Sequence, residues 1–75
     1  MKLLFFGPLA DIAGKTHFDL SGIQNINDLK GKIFEKHPEL QSHSFIVAVN
    51  KKVHSDNVSL NDDDEVALLP PFSGG

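Results

Sequence analysis

The residues best suited to chemistry stand together at positions 70–75, Pro70-Pro71-Phe72-Ser73-Gly74-Gly75. Proline fixes φ and lacks a backbone donor, so Pro70-Pro71 is expected to leave a preceding strand as a stiff, extended spacer. Gly74 and Gly75 have no side chains. They can thread a narrow channel and bring their backbone against a partner's groups. The carboxylate of Gly75 is then the working group. Small residues also collect at chain ends for no chemical reason. The functional reading gains from placement: the pair follows a short apolar strand and a rigid spacer.

The other polar residues offer less. His17, His37, His43 and His54 have no metal-ligand spacing, and the chain has no cysteine. That removes disulfides, thiolate metal sites and cysteine nucleophiles together. Asp62-Asp63-Asp64-Glu65 lacks the glycine and the distal glutamate of a calcium loop and reads as a solvated turn. Ser73 has no fixed base beside it, so no triad is expected. No metal and no cofactor bound by this chain are expected.

Composition narrows the classes further. A chain of 75 residues makes one domain. A core of that size contributes only about 3–5 kcal/mol net and leaves little room for a buried catalytic cavity. A hydrophobic share of 40% with six phenylalanines fits a folded domain. Net charge is −3, with seven lysines and no arginine, which speaks against nucleic acid as a partner. No segment approaches membrane-spanning length, and the Leu3–Phe6 run is too short for a signal peptide. The expected setting is therefore cytoplasmic, which the lack of cysteine fits.

The elements that would carry positions 70–75 follow from periodicity. Lys2–Phe6 is apolar on both faces and reads as a central strand. Gly7-Pro8 breaks it and opens a short helix with Leu9, Ile12 and Ala13 on one side, stopped at Gly14. Thr16–Leu20 alternates as a half-buried strand, an antiparallel neighbour of the first. Asn25 caps a longer helix, with Asp28 in its first turn and Ile26, Leu29, Ile33 and marginally Phe34 as the buried stripe. Gly31 within it is read as permitting close packing on the sheet. His37-Pro38 ends it. Phe45–Val49 is a third strand, Asn50-Lys51 a tight turn and Lys52-Val53 a short return. Val58–Leu60 is a turn under the core, Asn61–Asp64 a polar corner and Glu65–Leu69 the last strand. This order predicts an α+β chain of the β-grasp, ubiquitin-like class. It would have a mixed sheet of four to five strands, one main helix across one face and a short helix after strand one. The folded domain would cover 1–69 and a flexible Gly-Gly tail 70–75.

Leu4-Phe5-Phe6-Gly7, Ile12-Ala13-Gly14, Ala48-Val49-Asn50 and above all Leu60–Gly75 resemble the MoaD family, the small subunits of molybdopterin synthase. The likeness covers the full length. Gly-Gly ends are shared with the thiamine-pathway sulfur carriers and with ubiquitin-like modifiers. Two positions depart from the family: Ala10-Asp11 stands where a basic residue and an acid are common, and Asp63 where a corner glycine is. The resemblance implies that an ATP-dependent activating enzyme adenylates Gly75 and that a sulfur donor enzyme turns the acyl-adenylate into a thiocarboxylate. That sulfur would pass to a pterin precursor in molybdenum cofactor synthesis. The chain would be a non-catalytic cosubstrate, docked on a large subunit in a heterotetramer, with the ATP and pterin sites on its partners. Pro70, Pro71, Phe72, Ser73 and Gly74 would thread the partner's tunnel. Strand alternation turns Phe6 and Leu69 outward, and with Val53 on the short strand nearby they make a candidate interface patch. The alternatives are a carrier for the thiamine pathway and a modifier conjugated to proteins through Gly75.

Overall fold

The computed structural model describes residues 1–71. Its strands are β1 (Lys2–Phe5), β2 (His17–Asp19), β3 (Ile46–Val49), β4 (Lys52–His54) and β5 (Glu65–Leu69). They form one sheet in the order β2-β1-β5-β3-β4. β1 and β5 run parallel at the centre, and the other neighbours are antiparallel. A central position suits β1 and β5, because Leu3, Phe5, Val66 and Leu68 bury one face while Leu4, Ala67 and Leu69 keep the other apolar.

Helix α1 (Pro8–Ala13) starts with proline at its first turn and stops at Gly14, which lies in the left-handed region (φ 78°). Helix α2 (Ile26–Lys36) is capped twice over at its start. The Asn25 side chain accepts from Asp28 N–H at 2.8 Å, and the Asp28 carboxylate accepts from Gln24 N–H at 3.0 Å. These bonds satisfy amides that have no partner within the helix. Ile26, Leu29 and Ile33 of α2 enter the core with Leu3, Phe5, Val47, Val49, Val66 and Leu68. This is the expected β-grasp, ubiquitin-like arrangement, with one main helix over a mixed sheet.

Local details add to or change the expectations. Gly31 is exposed, and a methyl group added there would meet nothing within 4 Å, so it does not serve close packing. Helix α2 ends at His37-Pro38 as expected, and beyond it Pro38–Ser42 makes a 3-10 helix that buries Leu40. Asp63 does not take a positive φ; among described non-glycine residues only Asn50 (φ 50°) and Lys51 (φ 72°) do. Those two form the β3–β4 turn, whose primed geometry matches the twist of the strands. The corner Asn61–Asp64 therefore needs no glycine. Strand ends also retreat by one residue, leaving Phe6 and Phe45 outside β1 and β3.

Candidate functional site

The site is built at the two ends of β5. Its start is pinned by a polar network. Asn61 N–H donates to Asp64 Oδ2 at 2.8 Å, and Asn50 Nδ2 donates to Asp64 Oδ1 at 3.0 Å. Asn50 Oδ1 in turn accepts from Glu65 N–H at 3.0 Å. The Asn61 amide first, and the Asn50 side chain second, hold the Asp64 carboxyl below its ordinary pKa. The acidic run is therefore partly structural, because Asp64 ties the polar corner to the β3–β4 turn.

The far end of β5 is fixed differently. Pro70, expected as the first residue of the tail, is buried. The packed body thus runs at least one residue past Leu69. A Cβ at Gly7 would lie 3.0 Å from Pro70 Cγ, so the absence of a side chain lets the proline ring close on the first loop. Gly7 also takes φ 59°, ψ −137°, a conformation that favours glycine. Pro70 thereby anchors the exit, and Pro71 is exposed beyond it. Phe72, Ser73, Gly74 and Gly75 lie outside the described residues.

Around this exit spreads the sheet face that α2 does not cover. Cross-strand register aligns His17, Leu4, Ala67, Ala48 and Val53 in one row. Leu69 and Ile46 pair in the next. Phe6, one residue past β1, is 44% exposed and Val53 is 61% exposed, while Leu69 is half-buried. These three lie on the bare face with Leu4 and Ala67, which alternation along β1 and β5 could have added from the sequence. A shallow groove of about 400 Å³ adjoins the exit, lined by Leu4, Phe6, Gly7, Ala10 and His17 among others. Ala10, which stands where a basic residue is common, is half-buried against the core; Asp11 beside it is exposed. The described residues hold no group of three or more histidines, cysteines or carboxylates placed to bind a metal ion. None of their helices is long and apolar enough to cross a membrane. What the arrangement provides is a strand exit fixed at Pro70 beside an apolar face that α2 leaves bare.

Comparison with known proteins gives consistent results. Residues 3–75 match the model of the ThiS family. A molybdopterin synthase sulfur carrier subunit from Chlamydomonas reinhardtii is 35% identical over 81 residues, covering 100% of this chain and 98% of that protein. The solution structure of small archaeal modifier protein 1 from Methanosarcina acetivorans superposes with a TM-score of 0.79 at 26% identity, over 99% of this chain and 94% of that one. A chain of the complex of subunits 1 and 2 of molybdopterin-converting factor from Helicobacter pylori superposes with a TM-score of 0.74 at 26% identity, over 99% and 96%.

Proposed function

The chain belongs to the ThiS family, and from that premise we propose that it is the sulfur carrier subunit of a molybdopterin synthase, with Gly75 as the residue that carries the sulfur. The observation that supports this most directly is the exit geometry. The central strand ends on a proline locked against Gly7, at the rim of a bare apolar face. The five residues from Pro71 to Gly75 can reach at most about 17 Å from that anchor. The docked body therefore sets where Gly75 can go.

The chemistry follows from what a carboxylate cannot do alone. It is a poor electrophile, so an activating enzyme first transfers AMP from ATP to Gly75, releasing pyrophosphate. A sulfur donor enzyme then displaces AMP and leaves a thiocarboxylate, a soft nucleophile. Its sulfur passes to a pterin precursor held by the large subunit, and two carriers supply the two sulfurs of one dithiolene. A heterotetramer of two small and two large chains would serve that stoichiometry. Gly74 and Gly75 lack side chains that would obstruct a tunnel. Anchoring at Pro70 limits the chain freedom lost on docking. Phe6, Val53 and Leu69 form the contact to the large subunit, with Phe72 as an anchor from the tail. The pterin and ATP sites belong to the partners, and the reaction sits in the cytoplasm.

The likeness to a small archaeal modifier protein favours a second reading. The same acyl-adenylate, attacked by a lysine amine in place of sulfur, would join Gly75 to another protein. Intact mass of the protein purified from its own cells separates the two. A subpopulation heavier by one oxygen-to-sulfur exchange, absent when Gly75 is deleted, supports sulfur carriage. An unmodified population after incubation with activating enzyme, ATP and sulfur donor, together with lysine conjugates on a gel, supports the modifier.

A further inference from the structure

We propose that the outer edge of β2, with the slot between β2 and α2, is a second docking site, for an extended peptide that carries aliphatic residues next to a run of acidic ones. Backbone alternation supplies the first observation. Leu20 N–H donates to Met1 O at 2.9 Å and Phe5 N–H donates to Thr16 O at 2.9 Å, with Leu3 opposite Phe18 between them. Thr16, Phe18 and Leu20 therefore turn their backbone groups toward β1, and His17 and Asp19 turn theirs outward. No described residue pairs with those outward groups. An extended chain can add there as a sixth strand.

The side chains behind that edge define the occupant. Phe18, Leu20 and Ile33 line a narrow slot of about 20 Å³, rimmed by Lys32, Lys36 and His37. Lys15 Nζ stands 5.0 Å from the centre of the Phe18 ring, which also meets the Phe5 ring edge-on at 5.3 Å on its core side and the His37 ring at 5.7 Å. None of the three lysines has an ion pair with a described residue. Three unpaired ammonium groups and an imidazole thus gather at one edge of a chain whose net charge is −3. They complement carboxylates, and the apolar slot, with room for about one methyl-sized group, can take the end of one aliphatic side chain. The nearest acid on the strand, Asp19, lies on the opposite face, across from Lys2. The other edge strand, β4, is a poorer candidate. The pocket behind it is larger, about 300 Å³, and sets Asp56 beside Lys30 and His54, so its charge is mixed. The β2 site lies on the helix side of the sheet, so its occupant leaves Phe6, Val53 and Leu69 free, and it does not rest on the sulfur-carrier reading.

The test titrates the 15N-labelled full chain with the acetylated, amidated peptide Val-Ile-Val-Ile-Glu-Glu-Glu-Glu up to ~1 mM, an affinity range typical of weak single contacts. Expected are amide shifts at His17, Phe18, Asp19, Lys32, Lys36 and His37, with slowed exchange of the His17 and Asp19 amides. Lys32→Glu combined with Lys36→Glu should weaken binding about tenfold, the upper range for two exposed ion pairs. Both lysines are exposed, and the variant's own spectrum reports its folding. Should it unfold, the peptide with Gln for Glu gives the same comparison on the native protein. Absence of shifts, shifts centred on Phe6, Val53 and Leu69, or equal binding of the Gln peptide would overturn the proposal.

Discussion

The two faces of the sheet are made by the same strands and nearly the same residue types, yet they serve opposite ends. On the helix side, Leu3, Phe5, Val47, Val66 and Leu68 are all buried, Val66 and Leu68 to 0% exposure. On the bare side, Leu4 and Leu69 are half-buried and Phe6 and Val53 exposed. In β1 and β5 only Lys2 and Glu65, paired on the bare side, mark the face that α2 leaves open. The difference is mainly topological. A single main helix can bury one face of a small sheet, and an apolar second face then costs solubility unless something else covers it. Apolar residues on the helix side thus report on folding. On the bare side they are the ones left for the proposed partner.

Substitutions can break or sharpen this contrast. Leu68→Ala on the helix side should cost the most, about 3–5 kcal/mol of stability from lost burial and a residual cavity; urea unfolding measures it. A loss under about 1 kcal/mol would mean that the core is looser than the packing implies. Gly7→Ala, at the rim where the faces meet, should cost about 2–3 kcal/mol through its positive φ and its approach to Pro70. D-alanine at position 7, introduced by chemical synthesis, accepts that φ and should restore most of the loss. Val53→Asp should change stability by under about 0.5 kcal/mol but remove about 1–2 kcal/mol of affinity for the large subunit. Calorimetry against stability separates the two effects, and unchanged affinity would take Val53 out of the interface. Gly31→Ala, on the solvent side of α2, should stabilise by about 0.5–1 kcal/mol without changing sulfur transfer.

The smallest effect concerns pH. Asp64 has its folded-state pKa lowered by Asn61 N–H and then by the Asn50 side chain. Its contribution is therefore complete above the unfolded carboxylate range and is lost as pH falls through the lowered value. Asp64→Asn should flatten the acid limb of a plot of melting temperature against pH by slightly lowering its neutral plateau while leaving the acid end nearly unchanged. An unaltered acid limb would assign that limb to other carboxylates.

What the sequence made legible was mostly local. Asn25 with Asp28, His37-Pro38 and Asn50-Lys51 each act within a few residues, so side-chain chemistry alone places the start of α2, its end and the β3–β4 turn. Apolarity on both faces likewise put β1 and β5 in the centre. The burial of Pro70 could not be read the same way, because its neighbour Gly7 is distant in sequence and a Pro-Pro pair looks like a spacer wherever it lands. Gly31 misled for the reverse reason: a glycine in a helix suggests contact, but only the position of the sheet decides whether contact exists. Of the candidate site, the exposure of Phe6 was anticipated by alternation and Val53 by its place on the short neighbouring strand, while the unpaired edge of β2 with its lysines needed the fold, since Lys15 precedes β2 and Lys32 and Lys36 belong to α2.

The strand order β2-β1-β5-β3-β4 also has a consequence for the birth of the molecule. Before β5 is made, the chain holds only two separate ribbons, β1 with β2 and β3 with β4, and isolated two-stranded ribbons are marginal in water. β5 is the one strand hydrogen-bonded to both. A finished sheet therefore cannot form until β5 has been made, and loop closure between β1 and β5 should set the pace of folding. A chain that lacks β5 keeps two ribbons with no strand to join them. The integrity of the sheet thereby depends on the same strand that leads to Gly75.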